Sequence, residues 1–213
     1  MLPRGEGAAA APDPASAAQT ATPRVCGPCL REPPPWAGAV CAEDYTFPWD
    51  RLIADFKFHG QPELAQPLAD RLADAVGAHL DGAAQDGAGT ALGRPALVLP
   101  VPLSAQRLRE RGYNQAWELA RRLGAALGLR ADARLLQRPV DTPHQVTLPR
   151  AERARNLQGA FMVDPQRRHE VLGRSFALVD DVMTTGATLR QATLELLRAG
   201  AAEVQVWAFA RTP

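Results

Sequence analysis

Three short runs of almost uninterrupted apolar residues constrain the fold of this 213-residue chain more than any other feature. The runs are residues 96–101, 175–179 and 204–209, and each matches a strand that is buried on both faces of a sheet. A helical pattern at 188–199 separates the last two runs. A strand, a crossover helix and a second strand form a right-handed unit of a parallel sheet. The sequence therefore predicts an α/β fold.

Helical periodicity also marks segments outside these runs. Apolar residues recur at helical spacing in three further segments: 49–58, 62–80 and 114–128. Asn114 is a suitable N-cap and Gly128 a suitable C-cap for the last of these helices. The Gly-rich stretch 82–93 is predicted to be a connector, and the polar stretch 138–156 is predicted to be a long loop.

The N-terminal residues differ from the rest of the chain in composition. Residues 1–24 are rich in alanine and broken by prolines and acids, which predicts a disordered tail. This stretch lacks the continuous apolar segment of a signal peptide, and no run approaches the roughly 20 apolar residues of a membrane span. We therefore expect a cytoplasmic protein without an integral membrane segment.

The three cysteines, Cys26, Cys29 and Cys41, suggest a metal site more than a disulfide framework. Cys26 and Cys29 have the spacing of one half of a zinc site and are the candidate zinc ligands. A structural zinc site needs four ligands, and only Cys41 together with Asp44 or a histidine could complete it. We assign residues 25–47 to a small Cys-containing segment, and residues 48–213 to the main domain.

The charge of the chain is unevenly distributed. The net charge is only +1, so no global field draws the protein to polyanions. Between residues 105 and 155, however, eleven arginines stand against five acids. These arginines could face phosphates, or they could form an ordinary solvated surface. The chain contains 23 arginines and a single lysine, Lys57. We attribute this bias to the composition of the genome more than to function.

Residues 177–189, ALVDDVMTTGATL, place two adjacent carboxylates before a turn rich in threonine and glycine. The turn leads into the helix predicted at 188–199, so its backbone N–H groups and the helix dipole suit a phosphate. Asp180 and Asp181 would repel a phosphate, but they suit vicinal hydroxyls or a Mg²⁺ ion. A ribose 5-phosphate has both features. The alternative is that the threonines only cap a helix and the aspartates are solvated.

The same stretch closely resembles the phosphoribosyl-pyrophosphate (PRPP) motif of type I phosphoribosyltransferases. The wider chain resembles the ComF family of competence-associated proteins, which share that domain. The matching pieces are YTFPWDRLIADFKFHG at 45–60, VLPVPLSAQRLRERGYNQA at 98–116, the stretch 145–161 and the PRPP motif. The resemblance runs from about residue 25 to the C-terminus. It implies a type I phosphoribosyltransferase-like parallel sheet flanked by helices.

The resemblance also implies roles for individual residues. The catalytic pair that holds the ribose hydroxyls would be Asp180 and Asp181. The 5-phosphate would be bound by Thr184, Thr185, Gly186, Ala187 and Thr188. The pyrophosphate would be bound by Pro102, Leu103 and Ser104, with Arg107, Arg109 and Arg111 neutralising its charge. A flexible loop that closes over the site would contain Gln145, Arg153 and Asn156. The role of the motif Arg111–Gln115 (RGYNQ) does not follow from the sequence.

Two further expectations concern the ligand and the metal. The implied ligand is PRPP with Mg²⁺. Purine-salvage relatives place a carboxylate where Thr184 stands, and a threonine cannot act as a base at neutral pH, so hypoxanthine and guanine salvage is disfavoured. ComF relatives often carry an N-terminal zinc ribbon with two cysteine pairs. Only one pair, Cys26 and Cys29, is present here, so the segment 25–47 resembles a degenerate zinc ribbon.

Three functions are compatible with these features. The first is an enzyme that transfers phosphoribosyl from PRPP to an unidentified acceptor. The second is a non-catalytic module that binds PRPP or single-stranded DNA and acts with competence proteins in DNA uptake. The third is a regulator that binds PRPP without chemistry. Tyr113 and Trp117 are candidate stacking platforms for single-stranded DNA, although Trp117 also fits a helix core.

Overall fold

The structure of the chain, a computed structural model, describes residues 27–85, 93–139 and 159–213. Two compact units divide the chain, Met1–Pro33 and Pro34–Pro213. In the first unit, the described residues form the short helix α1 (Gly27–Arg31). Every other element described below belongs to the second unit.

A parallel sheet of four strands lies at the centre of the second unit. Its strands are β1 (Gly38–Asp44), β2 (Leu97–Pro100), β5 (Ser175–Met183) and β6 (Glu203–Arg211). Their order across the sheet is β1-β6-β5-β2, and each neighbouring pair is parallel. A separate antiparallel pair consists of β3 (Leu136–Gln137) and β4 (Met162–Val163).

Helices connect the strands and cover the sheet. They are α2 (Trp49–Phe58), α3 (Ala65–Gln85), α4 (Ala105–Arg111), α5 (Gln115–Leu127) and α6 (Ala187–Arg198), with 3₁₀ turns at Pro62–Leu64 and Pro165–Glu170. Within the described parts of the chain, none of these helices is both long and apolar enough to cross a membrane.

The side chains of the strands alternate between two apolar cores, because successive residues of a strand point to opposite faces. On one face, Leu99 and Leu178 pack in a cluster with Leu196 of α6. On the other face, Val98 and Trp207 pack in a cluster that contains buried residues of α2, α3 and α5. Both faces of the sheet are therefore covered by helices. This arrangement confirms the predicted α/β fold with a parallel sheet flanked by helices.

The helix predicted at 114–128 is confirmed together with its caps. The Asn114 side chain accepts hydrogen bonds from the N–H groups of Ala116 and Trp117, and Gly128 ends α5 in the left-handed conformation. The predicted connector at 82–93 is wrong at its start, since α3 continues to Gln85.

Two strands differ from the sequence prediction. The predicted second strand ends at Val179, but β5 continues through both aspartates because β6 pairs with it as far as Met183. Strand β1 (Gly38–Asp44) is not predicted, and it falls in the Cys-containing segment. In the described part of the chain it pairs only with β6, and as an edge strand it lacks the continuous apolar pattern of the buried strands.

Candidate functional site

Asp180 and Asp181 lie at the point where β5 extends beyond its neighbour. Strand β2 ends at Pro100, which pairs with Val179, the residue before the two aspartates. On that side the aspartates therefore face the turn that follows β2 instead of another strand. In an open α/β sheet, ligands bind at this carboxyl edge of the strands.

The only lysine of the chain, Lys57, contacts this acid pair. The Lys57 Nζ atom lies 2.9 Å from Asp181 Oδ1, and both side chains are largely buried. Lys57 belongs to the last turn of α2, far from Asp181 in the sequence. Because buried ion pairs are less screened by solvent than exposed ones, salt should weaken this contact less than it weakens an ion pair on the surface.

The carboxyl group of Asp180 has a raised pKa. Burial raises the pKa of its carboxyl group, the adjacent Asp181 carboxylate raises it further, and Lys57 only partly offsets both effects, which leaves the pKa at about 7. The Asp180 carboxylate also accepts a hydrogen bond of 2.9 Å from the Asp181 backbone N–H. The pair therefore gains negative charge as the pH rises through neutrality.

A single cavity joins the acid pair to a group of cationic side chains. Its charged and polar lining residues are Lys57, Arg107, Arg111, Asn114, Gln115, Arg138, Asp180, Asp181 and Thr188. Val101, Pro102 and Leu103 form the wall that follows β2. Four cationic side chains and two carboxylates thus meet in one place, an arrangement that suits a ligand with both phosphate and hydroxyl groups.

The turn after β2 is fixed at both of its ends. Ser104 is buried, and its hydroxyl oxygen accepts a hydrogen bond from the Arg107 N–H as the N-cap of α4. The Asn114 side-chain amide donates a 3.1 Å hydrogen bond to the Val101 carbonyl. Of the pyrophosphate residues predicted from the resemblance, Pro102, Leu103, Arg107 and Arg111 line the cavity, whereas the Ser104 side chain is used as a helix cap.

The turn Thr184–Thr188 leads into α6 as the sequence predicts. Gly186 has a positive φ of 70°, a conformation that glycine adopts without steric cost. A Cβ atom at this position would lie 3.0 Å from the Trp36 ring, so the indole covers one side of the turn. Thr184 and Thr185 are exposed, and only Thr188 of this turn lines the cavity with the acid pair.

Comparisons with known proteins identify the relatives of the chain. It is 37% identical over 187 residues to the DNA utilization protein YhgH of Salmonella typhi and to that of Escherichia coli K12, covering 88% of this chain and 78% of each relative. It is 36% identical to competence protein F of Haemophilus influenzae, covering 87% of this chain and 78% of that protein. The chain belongs to the ComF family.

Other comparisons are less informative about this ComF chain. No protein-family model matches it. Among solved structures, the glutamine PRPP amidotransferase from B. subtilis, complexed with ADP and GMP, is 17% identical with a TM-score of 0.42 and covers 72% of this chain and 30% of that one. An HPRT with glutamic acid at an invariant aspartic acid position is 14% identical with a TM-score of 0.40, covering 71% of this chain and 79% of that one.

Several predicted residues of the ComF chain fall outside the described residues. They are Gln145, Arg153 and Asn156 of the predicted flexible loop, and Cys26 of the candidate zinc site. Cys29 lies in α1. Cys41 lies half-buried in β1, where burial raises the pKa of its thiol to about 11, which disfavours the thiolate that binds metals. Within residues 27–85, 93–139 and 159–213, no group of three or more His, Cys, Asp or Glu side chains is placed to hold a metal ion.

Lys57, Arg138 and Gln115 are among the cavity residues of this ComF chain that the sequence does not predict as site residues. Lys57 is the only lysine, and its rarity in an arginine-rich chain is a signal that could identify it. Arg138 is buried, and its guanidinium group lies 5.4 Å from the centre of the Phe161 ring. Gln115 is also buried, at the first position of α5. Arg138 has no distinguishing local sequence pattern, whereas Gln115 lies in the motif Arg111–Gln115, to which the sequence assigns no role.

Proposed function

We propose that this chain binds PRPP together with Mg²⁺ in the cavity beside Asp180 and Asp181. The observation that carries the proposal is the single cavity that is lined by two carboxylates, by Lys57 and by three arginines. Hydroxyl groups of a ribose would donate to the carboxylates, and the diphosphate would contact the cations. The Thr184–Thr188 turn at the N-terminus of α6 would receive the 5-phosphate.

The residues present fit a magnesium ion. Carboxylate oxygens are the protein ligands that Mg²⁺ prefers, and it usually binds through one or two of them together with phosphate oxygens of a substrate. Asp180 and Asp181 supply such oxygens at the edge of the cavity. When bound, the ion would neutralise charge on a departing diphosphate. The ammonium group of Lys57, now 2.9 Å from Asp181, would then be available to a second anionic oxygen.

The proposed reaction is transfer of phosphoribosyl to an acceptor whose identity the site does not specify. The bond between ribose C1 and the diphosphate oxygen breaks, the acceptor forms a new bond to C1 and loses a proton, and pyrophosphate leaves. No covalent intermediate with the protein is required. Arg107, Arg111 and Arg138 would stabilise the leaving group as its negative charge develops.

Titration calorimetry with PRPP, in the presence and absence of Mg²⁺, tests the proposal. We expect Mg²⁺-dependent binding by the wild type and at least a tenfold loss in the double variant Asp180→Asn/Asp181→Asn. The control is Asp70→Asn/Asp74→Asn, which makes the same change of charge on exposed positions of α3. If the wild type binds no PRPP, the assignment of the cavity is wrong. Binding without pyrophosphate release, across a panel of bases and amines, would favour a non-catalytic role.

A second candidate function is the binding of single-stranded DNA during DNA uptake, alone or with competence proteins. The names of the relatives, DNA utilization protein and competence protein F, favour it. A depression lined by Lys57, Arg107 and Arg111 adjoins the cavity and could receive backbone phosphates. Trp117 and Tyr113 pack against the apolar core, so they are poor stacking platforms. We expect salt-dependent DNA binding that Arg107→Ala/Arg109→Ala weakens. DNA binding that this variant leaves unchanged would exclude Arg107 and Arg109 as DNA contacts.

A further inference from the structure

The motif Arg111–Gln115 (RGYNQ) joins α4 to α5 and forms part of the cavity wall. Gly112 ends α4 with a positive φ of 79°. The Tyr113 hydroxyl donates to the Phe56 carbonyl, and Asn114 both caps α5 and holds the Val101 carbonyl. The fold therefore accounts for these three residues, whereas Arg111 and Gln115, at the two ends of the motif, both line the cavity.

The orientation of the Gln115 side chain is set by Arg111. The Gln115 Oε1 atom accepts a hydrogen bond of 3.0 Å from Arg111 Nη1. Because a guanidinium group carries donors only, the amide must present its oxygen to Arg111, and its Nε2 atom is turned the other way. Gln115 is only 1% exposed, and its buried Nε2 atom has no hydrogen-bond partner among the described residues.

The neighbouring Tyr113 can satisfy this amide only in part. Burial raises the pKa of the Tyr113 hydroxyl, and a side-chain hydrogen bond with Gln115 acts in the opposite direction, so the amide lies beside the phenol. The Nε2 atom carries two N–H donors, and Tyr113 can engage at most one of them. At least one N–H donor of this cavity-lining residue therefore remains without a partner among the described residues. A buried donor without a partner costs about 1–3 kcal/mol, so its presence beside a cavity points to a bound acceptor.

Arg111 is held on its other side by an aromatic ring. Its guanidinium carbon lies 5.2 Å from the centre of the Phe58 ring, and Phe58 is 66% exposed. The cation is thus fixed between Phe58 and the Gln115 oxygen, with its charge turned to the cavity that it lines. Preorganised donors of this kind bind an anion without a cost of reordering.

We propose that Arg111 and Gln115 form one anion-binding unit, in which Gln115 fixes the Arg111 guanidinium and donates its own Nε2–H to an oxygen of a bound diphosphate. A diphosphate oxygen is an acceptor only and matches two converging donors. This inference rests on the proposed function, because it assigns the diphosphate of PRPP to this end of the cavity. Gln115 is thereby a ligand-binding residue as well as a positioning residue for Arg111.

The test compares two probes, inorganic pyrophosphate and ribose 5-phosphate, by titration calorimetry with Mg²⁺ present. In Gln115→Glu the acceptor facing Arg111 remains, but the donor is replaced by a negative charge. We expect affinity for pyrophosphate to fall by about ten- to a hundredfold and affinity for ribose 5-phosphate to change less than about threefold. The control Gln166→Glu adds the same charge at an exposed position outside the cavity and leaves both affinities unchanged.

A second variant, Gln115→Met, separates ligand binding from a structural role and replaces Gln115→Glu if that protein does not fold. The variant removes a buried donor that lacks a partner, and it also removes the acceptor of the Arg111 hydrogen bond. Because Arg111 is only half-buried, water can replace that acceptor, so we expect the melting temperature without ligand to stay the same or rise, while pyrophosphate binding still weakens about tenfold. A lowered melting temperature with unchanged pyrophosphate affinity would overturn the proposal. So would an equal loss of affinity for both probes.

The failure of this inference can be distinguished from the failure of the proposed function. If the wild type binds PRPP and the Gln115 variants bind pyrophosphate as tightly as the wild type, only the anion-binding unit is wrong. If the wild type binds pyrophosphate but no PRPP, and the variants lose pyrophosphate, the unit stands and its ligand is a different diphosphate. A wild type that binds neither compound overturns both proposals.

Discussion

At the scale of single residues, the charge of the acid pair Asp180 and Asp181 depends on burial and on neighbouring charges as well as on the carboxyl groups themselves. Asp180 and Asp181 could be predicted from the sequence because they closely precede the threonine- and glycine-rich turn that suits a phosphate. Lys57 and Arg138 reach the cavity only through the packing of elements that are distant in the sequence, and Gln115 lies in a motif whose role does not follow from the sequence. Local patterns therefore identify the carboxylates together with Arg107 and Arg111, but not Lys57 or Arg138.

The raised pKa of Asp180 gives a prediction for stability. A carboxyl group whose pKa is higher in the folded state keeps its proton where the unfolded chain has lost it. We therefore expect the free energy of unfolding of the ligand-free protein to decrease as the pH rises from about 4 to about 7. Asp180→Asn removes this dependence and stabilises the protein at pH 7.5 by at least about 1 kcal/mol. Urea unfolding of the wild type and of Asp180→Asn at pH 5 and pH 7.5 measures this difference. The prediction is wrong if the free energy of unfolding changes with pH by the same amount in both proteins.

At the scale of elements, sequence prediction succeeded where local signals agree. The caps and periodicity of α5 both lie within its own residues, and its bounds were predicted to within a residue. Strand β1 and the end of β5 depend instead on pairing with β6, which residues far along the chain supply. Such pairing leaves no mark in a local pattern, particularly where a strand contains acidic residues.

The turn before α6 offers a prediction at this scale. Gly186→Ala places a Cβ atom at a positive φ and 3.0 Å from the Trp36 ring. Gly128→Ala is the matched control, since Gly128 has a similar φ of 65° and open space around it. We expect the control to cost about 1–2 kcal/mol and Gly186→Ala to cost more. Urea unfolding measures both costs. In a Trp36→Ala background the two glycine substitutions should cost about the same, and an extra cost of Gly186→Ala that persists there would exclude the indole as its cause.

At the scale of the whole molecule, an ion-pair group joins parts of the chain on either side of residues 140–158. The Arg167 guanidinium donates to both carboxylate oxygens of Asp132, at 3.2 and 2.6 Å, and also to Glu170. Burial alone would raise the pKa of Asp132, but hydrogen bonds from Arg167 and from the N–H groups of Arg134 and Leu135 lower it below its ordinary value. The antiparallel pair β3 and β4 lies between these two partners in the sequence.

Removal of Arg167 should destabilise the fold in a pH-dependent way. At neutral pH we expect Arg167→Ala to lower the free energy of unfolding by about 1–2 kcal/mol. A carboxylate with a lowered pKa contributes stability above its unfolded pKa and loses it as the pH falls, so the effect should shrink as the pH falls below the ordinary carboxyl pKa of about 4. Arg168→Ala, at the exposed neighbouring position, should cost less than about 0.5 kcal/mol. Equal effects of the two variants in chemical unfolding would show that the Asp132 pair contributes nothing.

The single lysine has a practical consequence. Lys57 is the only side-chain amine in these 213 residues, and it points into the cavity beside Asp181. An amine-selective acylating reagent can therefore modify the cavity at one position and otherwise only the N-terminal amine. Any compound that fills the cavity changes the rate of that modification, which mass spectrometry of one peptide records. The wild-type protein thus carries its own chemical reporter of occupancy, with no substitution required.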